Sequence, residues 1–365
     1  MAEIVISNLR KDFGDFTAVQ SSSFRIEDGE FFMLLGPSGC GKTTTLRMIA
    51  GLEMPTSGEI YIDGEEVASK PARQRDIAFV FQMFALYPHM NVRRNISYPL
   101  ISQGMPRAQV RAKVAEVARI LGIEAMLDRP VGGLSGGDRQ RVALGRAIVR
   151  DPKCFLMDEP LGALDAEFRE HMAEELRALH DRMHATTVYV THDQLEAMQM
   201  GDRIVVMNRG SVEQFGTPQD IYDKPATMFV ADFIGSPPMN FLPFEGPIEA
   251  GGDRVRLGEA DLAVPRLLEA AAGRLVFGIR PEHVTFDDDA AYRGRIEAVE
   301  YLGTTQIVTL SSPNGTIRAR TAASRPARVG DAVGLRFAAP CVTLFDAGSG
   351  RALRSAPQEQ GGAHG

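Results

Sequence analysis

The sequence predicts a two-domain chain. An α/β domain spans residues 1–235, with a parallel core sheet, an antiparallel β layer and a helical subdomain at about 88–150; a small all-β barrel follows over 236–353. Three observations carry this reading. Short apolar runs alternate with helix-compatible stretches as far as about 235, strands cease between 105 and 150, and after "FIGSPPMN" (233–240) the pattern breaks into short β pieces divided by glycines.

In the first domain "EFFMLLG" (30–36), "DIAFVFQ" (76–82), "CFLMDE" (154–159) and "TTVYVTH" (186–192) have the continuous apolar character of strands buried on both faces. "IVISNL" and "GEIYIDGEEV" alternate more, and Asp63-Gly64 is a two-residue hairpin signal, so an antiparallel layer flanks the core. The helical insertion places Val110, Val114, Val117 and Leu121 on one face, with Pro106 suited to the first turn. "AEFREHMAEELRALHDRMH" spaces Phe168, Met172, Leu176, Leu179 and Met183 as an amphipathic helix whose apolar residues are core. In the second domain "RLVFGIR", "RGRIEAVEYLG", "TQIVTL", "TIRART", "AVGLRFA" and "CVTLFDA" have the spacing of a small barrel. Residues 354–365 read as a disordered tail.

The 365 residues carry a net charge of −7, which argues against a general nucleic-acid binder. No apolar run approaches the roughly 20 residues that span a bilayer. "MAEIVISNLRKDF" lacks a charged-then-apolar signal pattern, and the expectation is a cytosolic chain. Cys40, Cys154 and Cys341 have no metal-like spacing and read as reduced thiols.

"GPSGCGKT" fits G-x-x-x-x-G-K-[ST] directly after an apolar strand. In such a loop the backbone of Gly36, Pro37, Ser38, Gly39, Cys40 and Gly41 wraps phosphates, Lys42 reaches the β and γ phosphates, and Thr43, followed by Thr44, offers a hydroxyl to Mg²⁺. The matching acidic end is "CFLMDEP", which brings Asp158 and Glu159 to the C-terminal tip of a parallel strand. Asp158 is placed to hold Mg²⁺ through water, and Glu159 is the candidate general base. His192 ends the next strand and is expected at the same sheet edge, to contact the γ-phosphate or to position water and Glu159, although a lone histidine there is more often structural. Gln82 likewise ends "IAFVFQ" and could offer its amide to Mg²⁺ and water. The other histidines (His89, His171, His180, His184, His283) have no such placement.

A second glycine-rich helix start, "GGLSGGDRQR" (132–141), would be redundant in one chain. Taken together, "GPSGCGKT", "FVFQ", "LSGGDRQR", "CFLMDEP", "LGALD" and "VTHD" resemble, in order and spacing, the nucleotide-binding subunits of ABC transporters over the first 235 residues. The resemblance implies an ATPase with ATP and Mg²⁺, working as a dimer that sandwiches two nucleotides head to tail. Ser135, Gly136 and Gly137 would then complete the partner's phosphate cage, Asp138 would lie near the partner's ribose and phosphates, and Asp165 would cross the interface. It also implies that Phe13 stacks on adenine; the alternative is an aromatic buried in the first sheet. Residues 82–92 would form a groove for membrane subunits, with Leu86, Tyr87 and Met90 either docking a helix or packing the helical insertion.

Only 92 positions separate Thr43 from Ser135, too few for the long coiled coil of DNA-repair relatives, and one P-loop argues against the two-cassette ribosomal type. No base-reading NKxD motif supports a GTPase. "GTPQDIYDKPATMFVADFIGSPPMNFLP", "FGIRPEHV", "VEYLGTTQIVTL" and "VTLFDAGSGRAL" are similar to the regulatory barrel of carbohydrate-importer ATPases of the maltose and glycerol-3-phosphate kind, which implies an OB-like, TOBE-type domain over 236–353. The implied partners are a second copy or a paralogue, two transmembrane permease subunits and, through them, a periplasmic or extracellular solute-binding protein. The implied location is the cytoplasmic face of the cell membrane. Two other readings stay open: the same engine for a polyamine, iron or other small solute, and a regulatory protein whose barrel binds transcription or phosphotransferase components. The residue after "LSGG" is usually glutamine in the family. Asp138 is expected to point toward ribose or to pair with Arg139 or Arg141.

Overall fold

A computed structural model describes residues 2–162, 164 and 166–356. The chain divides into two compact units, Met1–Pro218 and Gln219–Gly365.

The first unit is built on a six-stranded sheet of order β10-β9-β3-β8-β7-β6. Its strands are β3 (Phe31–Leu35), β6 (Ile77–Val80), β7 (Cys154–Asp158), β8 (Thr186–Thr191), β9 (Arg203–Asn208) and β10 (Ser211–Gly216). The first five run parallel, and β10 turns back antiparallel at the edge. Every residue of β3, β7 and β8 is buried, which explains why these segments lack alternation. On one face Phe32, Leu34, Leu156 and Val190 share a core with Leu46 and Ile49 of α1 (Lys42–Ala50) and with Ile4, Ile6, Ile60 and Ile62. Those last four come from an antiparallel sheet of order β2-β1-β4-β5, with β1 (Ile4–Phe13), β2 (Phe16–Ile26), β4 (Ser57–Ile62) and β5 (Glu65–Glu66). The Asp63-Gly64 turn joins β4 to β5 with φ of 55° and 75°, the two positive values a type I′ hairpin requires. On the other face Phe31, Phe155 and Met157 meet Leu176 and Leu179.

The helical region contains α2 (Val92–Ser102), α3 (Arg107–Ile120) and α4 (Gly136–Ile148). As expected, Val110, Val114 and Val117 form the buried stripe of α3, and Leu121 is half-buried. In α5 (Ala166–Met183) Met172, Leu176 and Leu179 are buried and Met183 is half-buried; the side chain of Phe168 lies outside the described residues. The short α6 (Gln194–Met200) leads into β9.

The compact units divide at 218/219, whereas the sequence pattern changes at 235/236. Two six-residue helices, α7 (Pro218–Asp223) and α8 (Met228–Phe233), are too short to show a helical period, and the segment carrying them belongs with the second unit. There the buried Arg280 guanidinium donates to Tyr222 O (2.9 and 2.6 Å) and Ile234 O (2.6 Å). Met228 N–H also donates to Gly350 O at 2.7 Å.

The second unit has three sheets around one core. They are β11 (Asn240–Glu245), β14 (Arg274–Ile279) and β20 (Thr343–Asp346) in the order β11-β14-β20; β12 (Arg254–Leu257) with β13 (Ala260–Ala263); and β15 (Val284–Phe286), β16 (Arg293–Tyr301), β17 (Thr305–Ser312), β18 (Gly315–Ala322) and β19 (Ala332–Phe337) in the order β15-β19-β16-β17-β18. Leu242, Phe277, Val308, Leu310, Ile317 and Leu344 interdigitate inside. Asn240, the last residue of "GSPPMN", bridges two sheets. Its amide donates to Arg318 O (2.9 Å) and accepts from Arg318 N–H (2.7 Å), continuing the ladder from β11 to β18. At the start of the expected tail the described residues are held: Ser355 pairs with Leu267, and Ala356 N–H reaches Arg266 O at 2.9 Å. Residues 357–365 lie outside the described residues.

Candidate functional site

Gly36 to Thr43 form the turn from β3 into α1, at the carboxyl edge of the parallel sheet. Two of its glycines are required by sterics. A Cβ on Gly36 would stand 2.3 Å from Met207 O, and one on Gly41, at φ 104°, would stand 2.6 Å from Ala18 O. Pro37 is half-buried, Ser38 and Gly39 are exposed, and Thr44 is half-buried on the first turn of α1. Lys42 is buried, and its ammonium donates to Gly36 O (2.7 Å) and Pro37 O (2.9 Å), inside the loop's own curve. Cys40 is buried beneath it, and burial raises its thiol above the usual range.

The acidic end meets this loop directly. Thr43 Oγ1 donates to Asp158 Oδ1 at 2.9 Å across 115 positions of sequence. Burial raises the Asp158 carboxyl above its ordinary pKa, against the lowering effect of the Thr43 hydrogen bond. Glu159, the next residue, sits at φ 44°, an uncommon backbone for a non-glycine residue, and its N–H is held by Val190 O at 3.0 Å. That bend turns its carboxylate toward two groups from neighbouring strand ends. Glu159 Oε2 accepts from Gln82 Nε2 at 3.2 Å and lies 3.3 Å from His192 Nδ1. Gln82, Glu159 and His192 therefore converge on one oxygen, beside the Thr43–Asp158 pair.

Phe13 is 48% exposed at the tip of the β1–β2 hairpin, with Lys11 Nζ 4.8 Å from its ring centre. It is not a buried sheet aromatic. The same hairpin's β2 strand passes the P-loop, where Ala18 crowds Gly41.

Ser135 is the N-cap of α4, so the N–H groups of Gly136 and Gly137 open the helix without intrahelical acceptors. Asp138 turns back on this cap. Its carboxylate accepts the Ser135 hydroxyl at 2.8 Å and pairs with Arg141 at 3.7 Å, one of the two arginines weighed for it. Asp165 lies outside the described residues.

Several residues that shape the site escaped sequence reasoning. Arg146, on α4, donates to Phe84 O (2.8 Å) and Ala85 O (2.7 Å) just beyond Gln82. Both of those residues have positive φ, 60° and 47°. Asn95 brackets the next stretch, accepting from Tyr87 N–H at 2.8 Å and donating to Tyr87 O at 3.2 Å. Of the expected groove residues, Leu86, Tyr87 and Met90 are half-buried, and Met83 is fully presented. Behind His192, the buried Glu196 accepts from Thr191 (2.7 Å) and Tyr189 (3.0 Å), and burial raises its carboxyl. Asp193 caps α6 through Leu195 N–H at 2.8 Å, fixing the turn that carries His192. The D-x-x-E spacing of Asp193 and Glu196 was the available signal, a helix-start pattern beside a strand end.

A glycine-rich strand-to-helix loop, a lysine within it and paired carboxylates at the end of β7, across β8 in the same sheet, define a P-loop ATPase. Family models match as ABC transporter over residues 19–162, MalK OB fold domain over 235–284 and TOBE domain over 277–345. The trehalose/maltose import ATP-binding protein MalK of Thermococcus litoralis is 47% identical, covering 97% of this chain and 100% of the relative. The sn-glycerol-3-phosphate import ATP-binding protein UgpC of Ruegeria sp. is 48% identical over 96% of this chain and 99% of its own length. The trehalose import ATP-binding protein SugC of Mycobacterium tuberculosis is 44% identical, with 97% and 98% covered. Among solved structures, the dimeric structure of MJ0796, a bacterial ABC transporter cassette, superposes with a TM-score of 0.53 at 34% identity, covering 59% of this chain and 98% of that one. The chain belongs to the ABC transporter ATP-binding subunits of the import type.

Proposed function

We propose that this ATPase energises import of a carbohydrate or glycerol-3-phosphate-like solute, as a dimer bound to two membrane subunits at the cytoplasmic face of the membrane. The observation that carries the catalytic part is the convergence of Gln82 and His192 on Glu159 Oε2, next to Thr43 and Asp158. The cargo class follows the relatives, named for trehalose/maltose, trehalose and glycerol-3-phosphate import. No helix among the described residues is long and apolar enough to cross a membrane, so on this reading the solute path lies in partner subunits.

Each residue then has a defined task. The loop amides and the N-terminus of α1 take the phosphates, and the Lys42 ammonium exchanges loop carbonyls for β- and γ-phosphate oxygens. Thr43, Asp158 and the Gln82 amide form a hard-oxygen set fitted to Mg²⁺, whose charge would offset that of the phosphates. Glu159 accepts a proton from water as its oxygen attacks the γ-phosphorus; the bond to the β–γ bridging oxygen breaks, leaving ADP and phosphate. His192 keeps the Glu159 carboxylate aimed and meets the phosphate edge. Phe13 stacks on adenine. In the head-to-tail dimer Ser135, Gly136 and Gly137 close the partner's site, Asp138 lies at its margin, and residues 82–92 receive the membrane subunits.

Reconstitution with the two membrane subunits and the solute-binding protein tests this directly. ATP hydrolysis should rise when the binding protein is loaded with a disaccharide or glycerol-3-phosphate. Stimulation by a polyamine or ferric ion alone would replace the cargo assignment.

A further inference from the structure

Ser135 and Asp138 are bonded to one another twice across the first turn of α4. The Ser135 hydroxyl donates to Asp138 Oδ2 at 2.8 Å and accepts from the Asp138 backbone N–H at 3.2 Å. A serine hydroxyl has one proton to give, and here a carboxylate of the same chain holds it. An ionised phosphate oxygen offers only lone pairs, so Ser135 can grip one only with that same proton. The two acceptors compete.

The carboxylate is braced in turn. Arg141 Nη1 stands 3.7 Å from Asp138 Oδ1, while Arg141 Nη2 and Nε fork onto Glu175 of α5 at 2.9 and 3.2 Å. Glu175 also meets His171 Nε2 at 3.2 Å. The charge of Asp138 sits at the positive end of α4, where it stabilises the helix. An incoming phosphate would be a second anion beside it.

We propose that Asp138 is a positioning residue that sets the ATP threshold for dimer closure. It withholds the Ser135 proton, so the partner's γ-phosphate must displace the Ser135–Asp138 bond before the chains lock. This rests on the head-to-tail dimer reading and adds a gate to it.

The test uses the full chain carrying Glu159→Gln, titrated with ATP and Mg²⁺ and followed by light scattering. Asp138→Asn keeps the size, an acceptor oxygen and the capping geometry while removing the charge. It should lower the ATP concentration for half-maximal dimer by about fivefold, roughly 1 kcal/mol. Asp138→Gln should shift it in the same direction. In a Ser135→Ala background the Asp138→Asn shift should fall below about twofold, because residues acting through one bond are not additive. An unchanged threshold in the Ser135 chain overturns the proposal. A full-sized shift in the Ser135→Ala chain also overturns it, assigning the effect to repulsion of phosphate alone. If the Glu159→Gln parent forms no ATP-dependent dimer, the dimer reading itself fails, and that is seen before residue 138 is altered.

Discussion

Glu159 Oε2 is held from two sides, by Gln82 Nε2 at 3.2 Å and His192 Nδ1 at 3.3 Å, while its own backbone is bent to φ 44°. Three strand ends must be in register for that meeting, and β6, β7 and β8 are hydrogen-bonded neighbours in the sheet. Removing the imidazole should leave nucleotide binding nearly intact and remove the aim of the carboxylate. His192→Ala is expected to lower kcat by about 100-fold, within the range of a positioned acid–base group. Phosphate release, measured beside equilibrium nucleotide binding, separates the two effects; an unchanged kcat contradicts the role.

Asp158 is a buried carboxylate that the folded chain holds at a cost. Burial raises its pKa, so the folded state takes up protons more readily than the unfolded one, and this group's contribution to stability declines as pH rises through its elevated pKa. Asp158→Asn keeps the acceptor for Thr43 and removes the charge. It should raise the melting temperature at neutral pH and abolish Mg²⁺-dependent turnover, the exchange of activity for stability common at functional sites. The gain in melting temperature should vanish in acid, where the wild-type carboxyl is already neutral. A lower melting temperature for the variant at pH 7 contradicts this.

Arg146 holds Phe84 and Ala85 in left-handed backbone through two carbonyls. Arg146→Met keeps much of the stem and removes both donors. It should cost about 1–2 kcal/mol, the loss of two charge-assisted hydrogen bonds, one to the part-buried Phe84 carbonyl and one to the exposed Ala85 carbonyl. Amide exchange should accelerate at residues 83–90 ahead of the rest of the unit. Equal protection in variant and wild type would show that other contacts hold the loop.

How much of this was legible follows the range of each interaction. Strands β3, β6, β7 and β8 carry their burial on both faces as continuous apolar runs, and the P-loop and "DE" tip follow them directly, so both the sheet and the residues at its edge were readable. The Arg146 contact with Phe84 spans 62 positions and the Asn240–Arg318 bridge spans 78, with no local pattern to announce either. Helices α7 and α8 have six residues each, less than two turns, and their attachment to the second unit depends on Arg280, far along the chain. The pairing of Ser355 with Leu267 has the same character, which is why the polar composition of the ending gave no sign of it.

Arg280 is the clearest stability test in the second unit. Its guanidinium lies 3.8 Å from the Tyr222 ring centre while bonding two backbone carbonyls. Lysine has neither the planar fork nor the reach in two directions, so Arg280→Lys is not conservative here. The variant should lose about 2–3 kcal/mol, consistent with unpaired buried carbonyls. Denaturant unfolding followed in this unit checks the value, and a loss near zero contradicts the clamp.

Glu159→Gln tests the catalytic assignment most directly. With ATP and Mg²⁺ the full-length variant should release no phosphate above background, yet accumulate as a nucleotide-bound dimer that the nucleotide-free chain does not form. Hydrolysis at the wild-type rate, or association indifferent to ATP, would contradict Glu159 as the base and the paired sites as one engine.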